Sequence, residues 1–299
     1  MKLTSPLRYP GSKSGLADYF ASVVKSNLLI GSDFYEVYAG GGSTSLALLE
    51  KELISRATMV ELDPLVYAFW RSVKENHEGL CKKLQAVDVS MKTWNAYQKY
   101  LVPDALDKFD ILDLGLAGLF FNRTNFSGII GAGPIGGMNQ NSDYKLDCRF
   151  NKERLAEQIR AIAAFKSKFS VVNADAISFL ARREQSLIGE HCLVYLDPPY
   201  YQQGRKLYRY NYAHEQHKRL AEFITQKTYP WIVSYDPHPK IKEFFAGQKI
   251  KTVSLDYAVK QSRKAKELLI SNMDLCTAVY VPNERSETTA FREATWLNA

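Results

Sequence analysis

The sequence predicts an α/β fold, a mostly parallel sheet flanked by helices, and two observations predict it. Residues 192–196 form a continuous apolar run that stops abruptly, which is typical of a strand buried on both faces. Residues 34–38 alternate like a strand and lead through a glycine turn into an apolar helix at 46–53. In such a sheet, ligands bind at the carboxyl ends of the strands.

The apolar run at 192–196 ends in the tetrapeptide Asp197, Pro198, Pro199 and Tyr200. The two prolines exclude a helix and remove two backbone donors, so an extended turn should leave the sheet there. A carboxylate and a proline carbonyl could both accept hydrogens from one NH₂ group while the tyrosine ring packs on the flat molecule that carries it. The sequence therefore predicts either a site for an exocyclic amine or a turn that only ends the strand.

Composition indicates a globular protein with an excess of positive charge. The chain has 299 residues, 46% hydrophobic and 24% charged, with a net charge of +7. We expect a cytoplasmic protein without a membrane segment, since no apolar run approaches about 18 residues and no signal segment is evident. Four separated cysteines without a CxxC pair predict neither a metal site nor a disulfide framework.

Residues 7–13 form a Pro-Gly turn that runs into a helical pattern. Ser12 suits the helix cap, which places Lys13 at the helix start, where a cation is unfavourable unless it faces an anion. Lys13 is therefore either a contact to a carboxylate or phosphate or an ordinary surface lysine.

The glycine turn at Gly40, Gly41 and Gly42 lacks the GxGxxG spacing of NAD proteins, which leaves other adenosyl ligands open. Acids follow the next two predicted strands. Glu61, with Asp63 as the second candidate, lies where ribose hydroxyls are bound, although Asp63 also suits a helix cap. Asp175 has the same two interpretations, a helix cap or an acceptor for the amine of adenine.

The βα alternation predicts three segments. Residues 1–75 and 166–299 would form one catalytic domain, and residues 76–165 an insertion with helices at about 80–101 and 103–121. The five glycines between 128 and 137 predict an exposed hairpin or loop that either enters a DNA groove or is plain surface.

Two later stretches suggest contact with nucleic acid. Residues 201–212 interleave cations with tyrosines, and residues 240–266 hold eight basic residues against two acids. Further helices are expected at 214–226 and 237–245, strands at 231–235, 250–255, 267–271 and 275–281, and a polar tail from 283. The candidate cations are Arg205, Lys206, Arg209, Lys260, Arg263 and Lys264.

In this order the motifs resemble the adenine-N6 DNA methyltransferases of the Dam group. The resemblance spans about residues 7–272 and rests on seven blocks in one order. They include LRYPGSK at 7–13, EVYAGGG at 36–42, Asn122-Arg123 with the FSG at 126–128, DPPY at 197–200, WIVSYD at 231–236 and ELLISN at 267–272. Ser12 and Ser127 depart from the residues that relatives often carry, Gly and Asn, which blurs any prediction of the recognised sequence.

The resemblance implies a Rossmann-like S-adenosyl-L-methionine-dependent methyltransferase fold with an inserted, mainly helical target-recognition domain at 76–165. It implies S-adenosyl-L-methionine as cofactor, S-adenosyl-L-homocysteine as product, and no metal. Asp197, Pro198, Pro199 and Tyr200 would grip the adenine. The implied cofactor residues are Tyr9, Lys13, Glu36, Gly40, Gly41, Gly42, Glu61, Asp63, Asp175 and Asp197, and the implied DNA contacts are Arg8, Arg123 and Asn125 with the six candidate cations.

The predicted reaction is methyl transfer to the N6 amine of an adenine flipped out of double-stranded DNA. By the same resemblance, Ser in place of Asp197 would favour cytosine-N4 and Asn would favour protein glutamine, so Asp197 favours adenine. An RNA adenine methyltransferase and a non-catalytic nucleic-acid-binding relative stay open as alternatives. A cognate restriction endonuclease is an open partner, and a monomer or weak dimer is expected.

Overall fold

A computed structural model describes residues 3–9, 16–202, 204, 209–257 and 263–275, without the side chains of 255–257 and 263–265. Within these residues, no helix combines the length and apolar character that a membrane crossing requires. The strand expected at 275–281 and the polar tail lie outside the described residues, apart from Leu275.

One sheet organises the described chain, and its strand order is β3-β2-β1-β4-β5-β7-β6. The strands from β3 to β5 pair in parallel, while β7 lies antiparallel to both β5 and β6. The bounds are β1 Ser32–Val37, β2 Ile54–Glu61, β3 Phe169–Asn173, β4 Cys192–Leu196, β5 Trp231–Tyr235, β6 Lys249–Tyr257 and β7 Arg263–Ser271. The expected mostly parallel α/β sheet is confirmed.

Helices cover both faces of this sheet. Their bounds are α1 Ala17–Ser26, α2 Ser43–Glu50, α3 Pro64–Ala86, α4 Met91–Tyr97, α5 Ala105–Lys108, α6 Ile111–Thr124, α7 Lys152–Ala163, α8 Ala176–Gly189, α9 His214–Ile224 and α10 Pro239–Phe244. The side chains of β4 alternate between two cores because successive residues of a strand point to opposite faces. Leu193 and Tyr195 join the core that contains Phe20 of α1, while Val194 joins the core that contains Leu220 of α9.

The segment after β2 differs from the expected helices at about 80–101 and 103–121. Helix α3 continues to Ala86, with a kink at Asn76 (φ −149°, ψ 60°), so the expected boundary between residues 75 and 76 falls at this kink. Helix α6 approaches α3 closely at Gly118, where an added Cβ would lie only 2.5 Å from the Leu65 carbonyl oxygen. The segment therefore shares a core with the sheet, and the division into domains stays a prediction.

The glycine-rich loop closes as a short hairpin. Phe126 N donates to Gly133 O over 3.0 Å, and Ile135 N donates to Thr124 O over 2.8 Å. These bonds flank an antiparallel bridge between Asn125 and Pro134. The hairpin follows the carboxyl end of α6 directly, so this helix determines its position.

Candidate active site

The Asp197 carboxylate lies at the carboxyl end of β4, between β1 and β5. Its backbone N–H donates to Val37 O over 3.1 Å, which holds the start of the turn to β1. The side chain is half-buried and lines a cleft above this edge of the sheet. Asp197 therefore presents a carboxylate to the cleft, as the sequence predicts.

A serine from the neighbouring strand holds this carboxylate. Ser234 Oγ lies 2.5 Å from Asp197 Oδ1 and 2.9 Å from the Tyr195 hydroxyl, and both Ser234 and Tyr195 are fully buried. A serine has one hydroxyl hydrogen, so Ser234 donates to Asp197 and accepts from Tyr195. The result is a buried chain of hydrogen bonds that fixes the orientation of the Asp197 side chain.

The rest of the turn is held by two acids. Asp236, just beyond β5, accepts the backbone N–H groups of Tyr201 at 2.8 Å and Gln202 at 3.1 Å. The Tyr200 hydroxyl lies 3.5 Å from Glu267 Oε2 on β7. No donor among the described residues reaches the Pro198 carbonyl, which leaves it able to accept a hydrogen from a ligand.

The glycine turn lies behind Tyr9, one of the residues that line the cleft. Gly40 and Gly42 have φ of +47° and +59°, a region that residues with a Cβ rarely adopt. The Tyr9 ring lies against Gly40, where an added Cβ would be only 2.8 Å from it. Trp70 Nε1 also donates to Gly40 O over 2.8 Å, so the turn is fixed on both sides.

Glu61 and Asp63 both line the cleft at the end of β2. The Glu61 carboxylate accepts from Gly40 N at 2.8 Å and from Asp63 N at 2.9 Å, and burial raises its pKa to about 7. Asp63 Oδ1 accepts from Leu65 N over 2.9 Å and caps α3, the alternative role considered from the sequence. Burial raises the pKa of Asp63 as well, opposed by the positive charge of Arg209.

Arg209 enters this cleft and does not lie on the surface expected to face nucleic acid. Its side chain is only 18% exposed, and Nη1 lies 3.5 Å from Asp63 Oδ1. A buried carboxylate attracts the guanidinium because a charge removed from water needs a partner. In the structure Arg209 is thus paired with an acid of the cleft, and its expected contact with nucleic acid stays a prediction.

Aromatic rings close the remaining sides of the cleft. Tyr9, Tyr38, Tyr210 and Tyr212 line it together with Ile129 and Ile130 of the hairpin, and the Tyr38 and Tyr212 hydroxyls are 2.7 Å apart. The cavity volume is about 70 Å³, far below the roughly 300–1,000 Å³ of ligand pockets. Arg209 and Tyr210 are among the residues that line this narrow cleft, so binding of a ligand of adenosyl size would require the cleft to widen.

Three expected site residues have other roles in the structure. Glu36 is 4% exposed and absent from the cleft lining, because its carboxylate accepts from Ser45 N at 2.9 Å at the start of α2. Asn125 is 1% exposed, and its amide bonds to Trp94 Nε1 at 2.7 Å and to Ile130 O at 2.8 Å, so the structure uses this side chain within the fold. Asp175 caps α8 through Ser178 N and does not line the cleft.

The other expected cations divide into two groups. Arg8 lies in the first described segment, at 3–9, and Arg123 lies near the end of α6. Both line a groove separate from the cleft. Lys13, Arg205, Lys206 and Lys260 lie outside the described residues, as do the side chains of Arg263 and Lys264.

Ser234, Asp236 and Asn122 are functional candidates that sequence reasoning missed. Ser234 and Asp236 stand at the carboxyl end of a strand next to β4, a position that could have indicated them. Asn122 Oδ1 accepts from Arg8 N at 2.6 Å, and its Nδ2 donates to Arg8 O at 2.7 Å and Gly128 O at 2.8 Å. This pairing ties the N-terminal segment to α6 beside the cleft.

The strand order, with an antiparallel β7 between β5 and β6, and a ligand cleft at the carboxyl edge define a Rossmann-like methyltransferase fold. The family model for the D12 class N6 adenine-specific DNA methyltransferases matches residues 9–259. The chain belongs to this family. It is therefore an S-adenosylmethionine-dependent adenine methyltransferase.

Two solved structures show a distant similarity to this chain. One is described as a "putative RNA methyltransferase" from Pyrococcus horikoshii, with 13% identity, a TM-score of 0.41, and 89% of this chain and 84% of that chain covered. The other is described as the "putative methyltransferase yhhF" from Escherichia coli, with 11% identity, a TM-score of 0.37, and coverages of 89% and 90%. A search of curated protein sequences finds no match.

The residues of the cleft fit an adenosyl cofactor chemically. The tyrosine rings that line the cleft offer flat apolar faces, and Glu61 and Asp63 supply acceptors for hydroxyl groups. No group of acids, histidines and cysteines in the described part of the chain is arranged to hold a metal ion.

Proposed function

We propose that the protein transfers a methyl group from S-adenosyl-L-methionine to the exocyclic N6 amine of an adenine flipped out of double-stranded DNA. The observation that carries the proposal is the Asp197 carboxylate, oriented by Ser234, in a cleft that Tyr9, Glu61 and Asp63 also line. The family adds support, since its description names DNA and adenine N6.

The cofactor would lie between the glycine turn and the hairpin. Gly40, Gly41 and Gly42 would let it approach the backbone, and Tyr9 would pack against its flat part. Asp63 would accept from its ribose hydroxyls once Arg209 has moved, and Glu61 already holds the turn and the Asp63 backbone in place. When bound, the cofactor supplies an electrophilic methyl group on a sulfonium.

The target adenine must leave the base stack before it can reach Asp197, which costs a few kcal/mol. Its amine would donate one hydrogen to the Asp197 carboxylate and the other to the Pro198 carbonyl, while the Tyr200 ring packs on the base. Both acceptors hold the nitrogen lone pair in line with the methyl group, so positioning is the main contribution. As the nitrogen–carbon bond forms and the carbon–sulfur bond breaks, the carboxylate stabilises the positive charge on nitrogen. The extra proton then leaves the amine through the carboxylate to solvent.

The experiment is a filter assay with S-adenosyl-L-methionine labelled on the methyl group. Unmethylated double-stranded DNA, the same sequence as RNA, and no nucleic acid are compared, and the labelled nucleoside is identified after digestion. We expect label in DNA as N6-methyladenine and none in RNA. Label confined to RNA would replace DNA by RNA as substrate, and label in neither would support a non-catalytic relative.

The predicted partner, location and oligomeric state are open to experimental tests of the same kind. A cognate restriction endonuclease, a cytoplasmic location and a monomeric or weakly dimeric state are part of this proposal. Mapping of modified adenines in cells that express the protein would give the recognised sequence.

A further inference from the structure

A second concave surface lies outside the active-site cleft. It is bordered by the first described residues, the end of α6 and the start of α7, with a cavity volume of about 640 Å³. Its lining carries four arginines and one acid, Asp147. We call this surface the arginine groove, after Arg8, Arg123, Arg149 and Arg154.

Within the described part of the chain, the arginines of the groove have no carboxylate partner. Among the residues that the structure describes, no ion pair involves any of the four, although arginines elsewhere form such pairs, as Arg160 does with Glu78 at 2.8 Å. Arg123 is half-buried, and its Nε donates to Pro6 O over 2.6 Å, which fixes it in the groove wall. Burial and the charges of Arg8, Arg154 and Arg149 lower the pKa of Arg123 to about 10. The other three cations thus lie close enough to Arg123 to repel its positive charge.

The start of α7 adds to the positive electrostatic potential of the groove. This helix has 12 residues, and its cap Asn151 accepts from Arg154 N over 2.8 Å. Asn151, Arg154 and Leu155 all line the groove, so the positive end of the helix dipole opens into it. Free N–H groups at a helix start and arginine forks are both suited to phosphate oxygens.

The groove lies beside the active-site cleft along the chain. The Arg8 side chain lines the groove, while its neighbour Tyr9 lines the cleft, and the hydrogen bonds of Asn122 hold the backbone between them. A nucleic acid that places one base in the cleft therefore passes close to the groove.

We propose that the arginine groove binds phosphate groups of the nucleic-acid backbone beside the flipped nucleotide, with Arg149 and Arg154 as contacts. This inference rests on the proposed function, because it assumes that a nucleic acid is the substrate. Arginine forks bind phosphate oxygens in pairs and fix the register of a duplex without reading its sequence. The groove would hold the backbone while the cleft receives the base.

The test measures binding of a fluorescein-labelled duplex by anisotropy at several salt concentrations, in the presence of S-adenosyl-L-homocysteine. Arg149→Gln, Arg154→Gln and the double variant are compared with Arg182→Gln. Arg182 is an exposed arginine of α8, a helix that packs on the opposite face of the sheet. The Arg182→Gln variant therefore removes the same charge far from the groove.

We expect each groove variant to weaken binding about equally for specific and random duplexes, and the double variant to weaken it more than tenfold. The slope of log K against log salt should become shallower by about 0.9 for each lost phosphate contact. Arg182→Gln should leave that slope unchanged. Equal slopes for the double variant and wild type, both folded by thermal melting, would overturn the inference.

Methylation of the same DNA is measured in parallel, so that the two proposals fail differently. If wild type methylates DNA and the double variant binds with an unaltered slope, the groove assignment alone is wrong. If wild type neither methylates nor binds the duplex, the proposed function is wrong and the groove assignment is overturned with it.

Discussion

Ser234 donates a hydrogen bond of 2.5 Å to Asp197 Oδ1, and this bond joins the ends of two adjacent parallel strands. Ser234 does not line the cleft, so it acts through Asp197. The geometry makes Ser234 a positioning residue and predicts a specific kinetic effect of its loss.

Ser234→Ala should lower kcat about tenfold with little change in KM. The lost bond is worth about 1–2 kcal/mol, and about 1.4 kcal/mol in the barrier is tenfold in rate. Steady-state methylation kinetics measure the two constants separately. Tyr195→Phe, which removes the donor one step further away, should have a smaller effect in the same direction. A rise in KM with unchanged kcat would contradict the positioning role.

Asp197→Ala should abolish turnover while DNA affinity stays within about twofold of wild type. The carboxylate faces the reacting nitrogen, whereas most of the affinity for a duplex comes from phosphate contacts. Methylation assays and anisotropy titrations of one preparation give both values. Normal methylation by the variant would refute the assignment of Asp197.

Gly42→Ala should destabilise the protein by about 1–2 kcal/mol and weaken cofactor binding. Gly42 has a φ of +59°, and a Cβ there would lie 2.8 Å from Met59 Sδ, so strain and a clash add together. Gly41→Ala is the matched control, because its Cβ would meet nothing closer than 3.6 Å. Urea unfolding of both variants provides the comparison, and equal losses would show that backbone strain is not the cause.

Arg209→Gln should raise the affinity for S-adenosyl-L-homocysteine severalfold. The ion pair with buried Asp63 must separate before a ligand enters the narrow cleft, and glutamine removes that cost. Isothermal titration calorimetry measures the change, with Arg182→Gln as the control of equal charge. Weaker binding would instead make Arg209 a direct contact of the cofactor.

His217 should make stability fall as the pH drops from about 6.5 to 4. Its ring is buried beside Tyr201, Tyr212 and Tyr235, and burial lowers its pKa to about 4, opposed by the negative charge of Asp236. Above pH 6.5 neither the folded nor the unfolded protein binds a proton at His217, so this residue contributes nothing to the pH dependence of stability there. Below it the unfolded state gains a proton that the folded state lacks, and stability is lost on the order of 2 kcal/mol.

The measurement is urea unfolding of wild type and His217→Gln between pH 4 and 8. If the histidine is responsible, His217→Gln should lose the decline between pH 6.5 and 4 that wild type shows, whatever its stability at pH 8. A variant that keeps the full decline between pH 6.5 and 4 would assign that decline to other groups.

Part of this arrangement is evident from the sequence. Strands β4 and β5 are predictable because each is a run of buried residues, and the position of Asp197 at the end of β4 follows directly. Asn125 and Glu36 could not be placed, since a polar residue near a turn looks the same whether its side chain faces a ligand or the backbone. The length of α3 was not predicted either, because the expected boundary between residues 75 and 76 falls at a kink through which this helix continues to Ala86.

The grip of Asn122 on the Arg8 backbone has one more consequence. Arg8 lines the arginine groove and the next residue, Tyr9, lines the cleft. A displacement of either side chain is therefore transmitted to the other through the backbone between them. Loading of the polyanion and loading of the methyl donor should then be thermodynamically linked, each changing the dissociation constant of the other by the same factor.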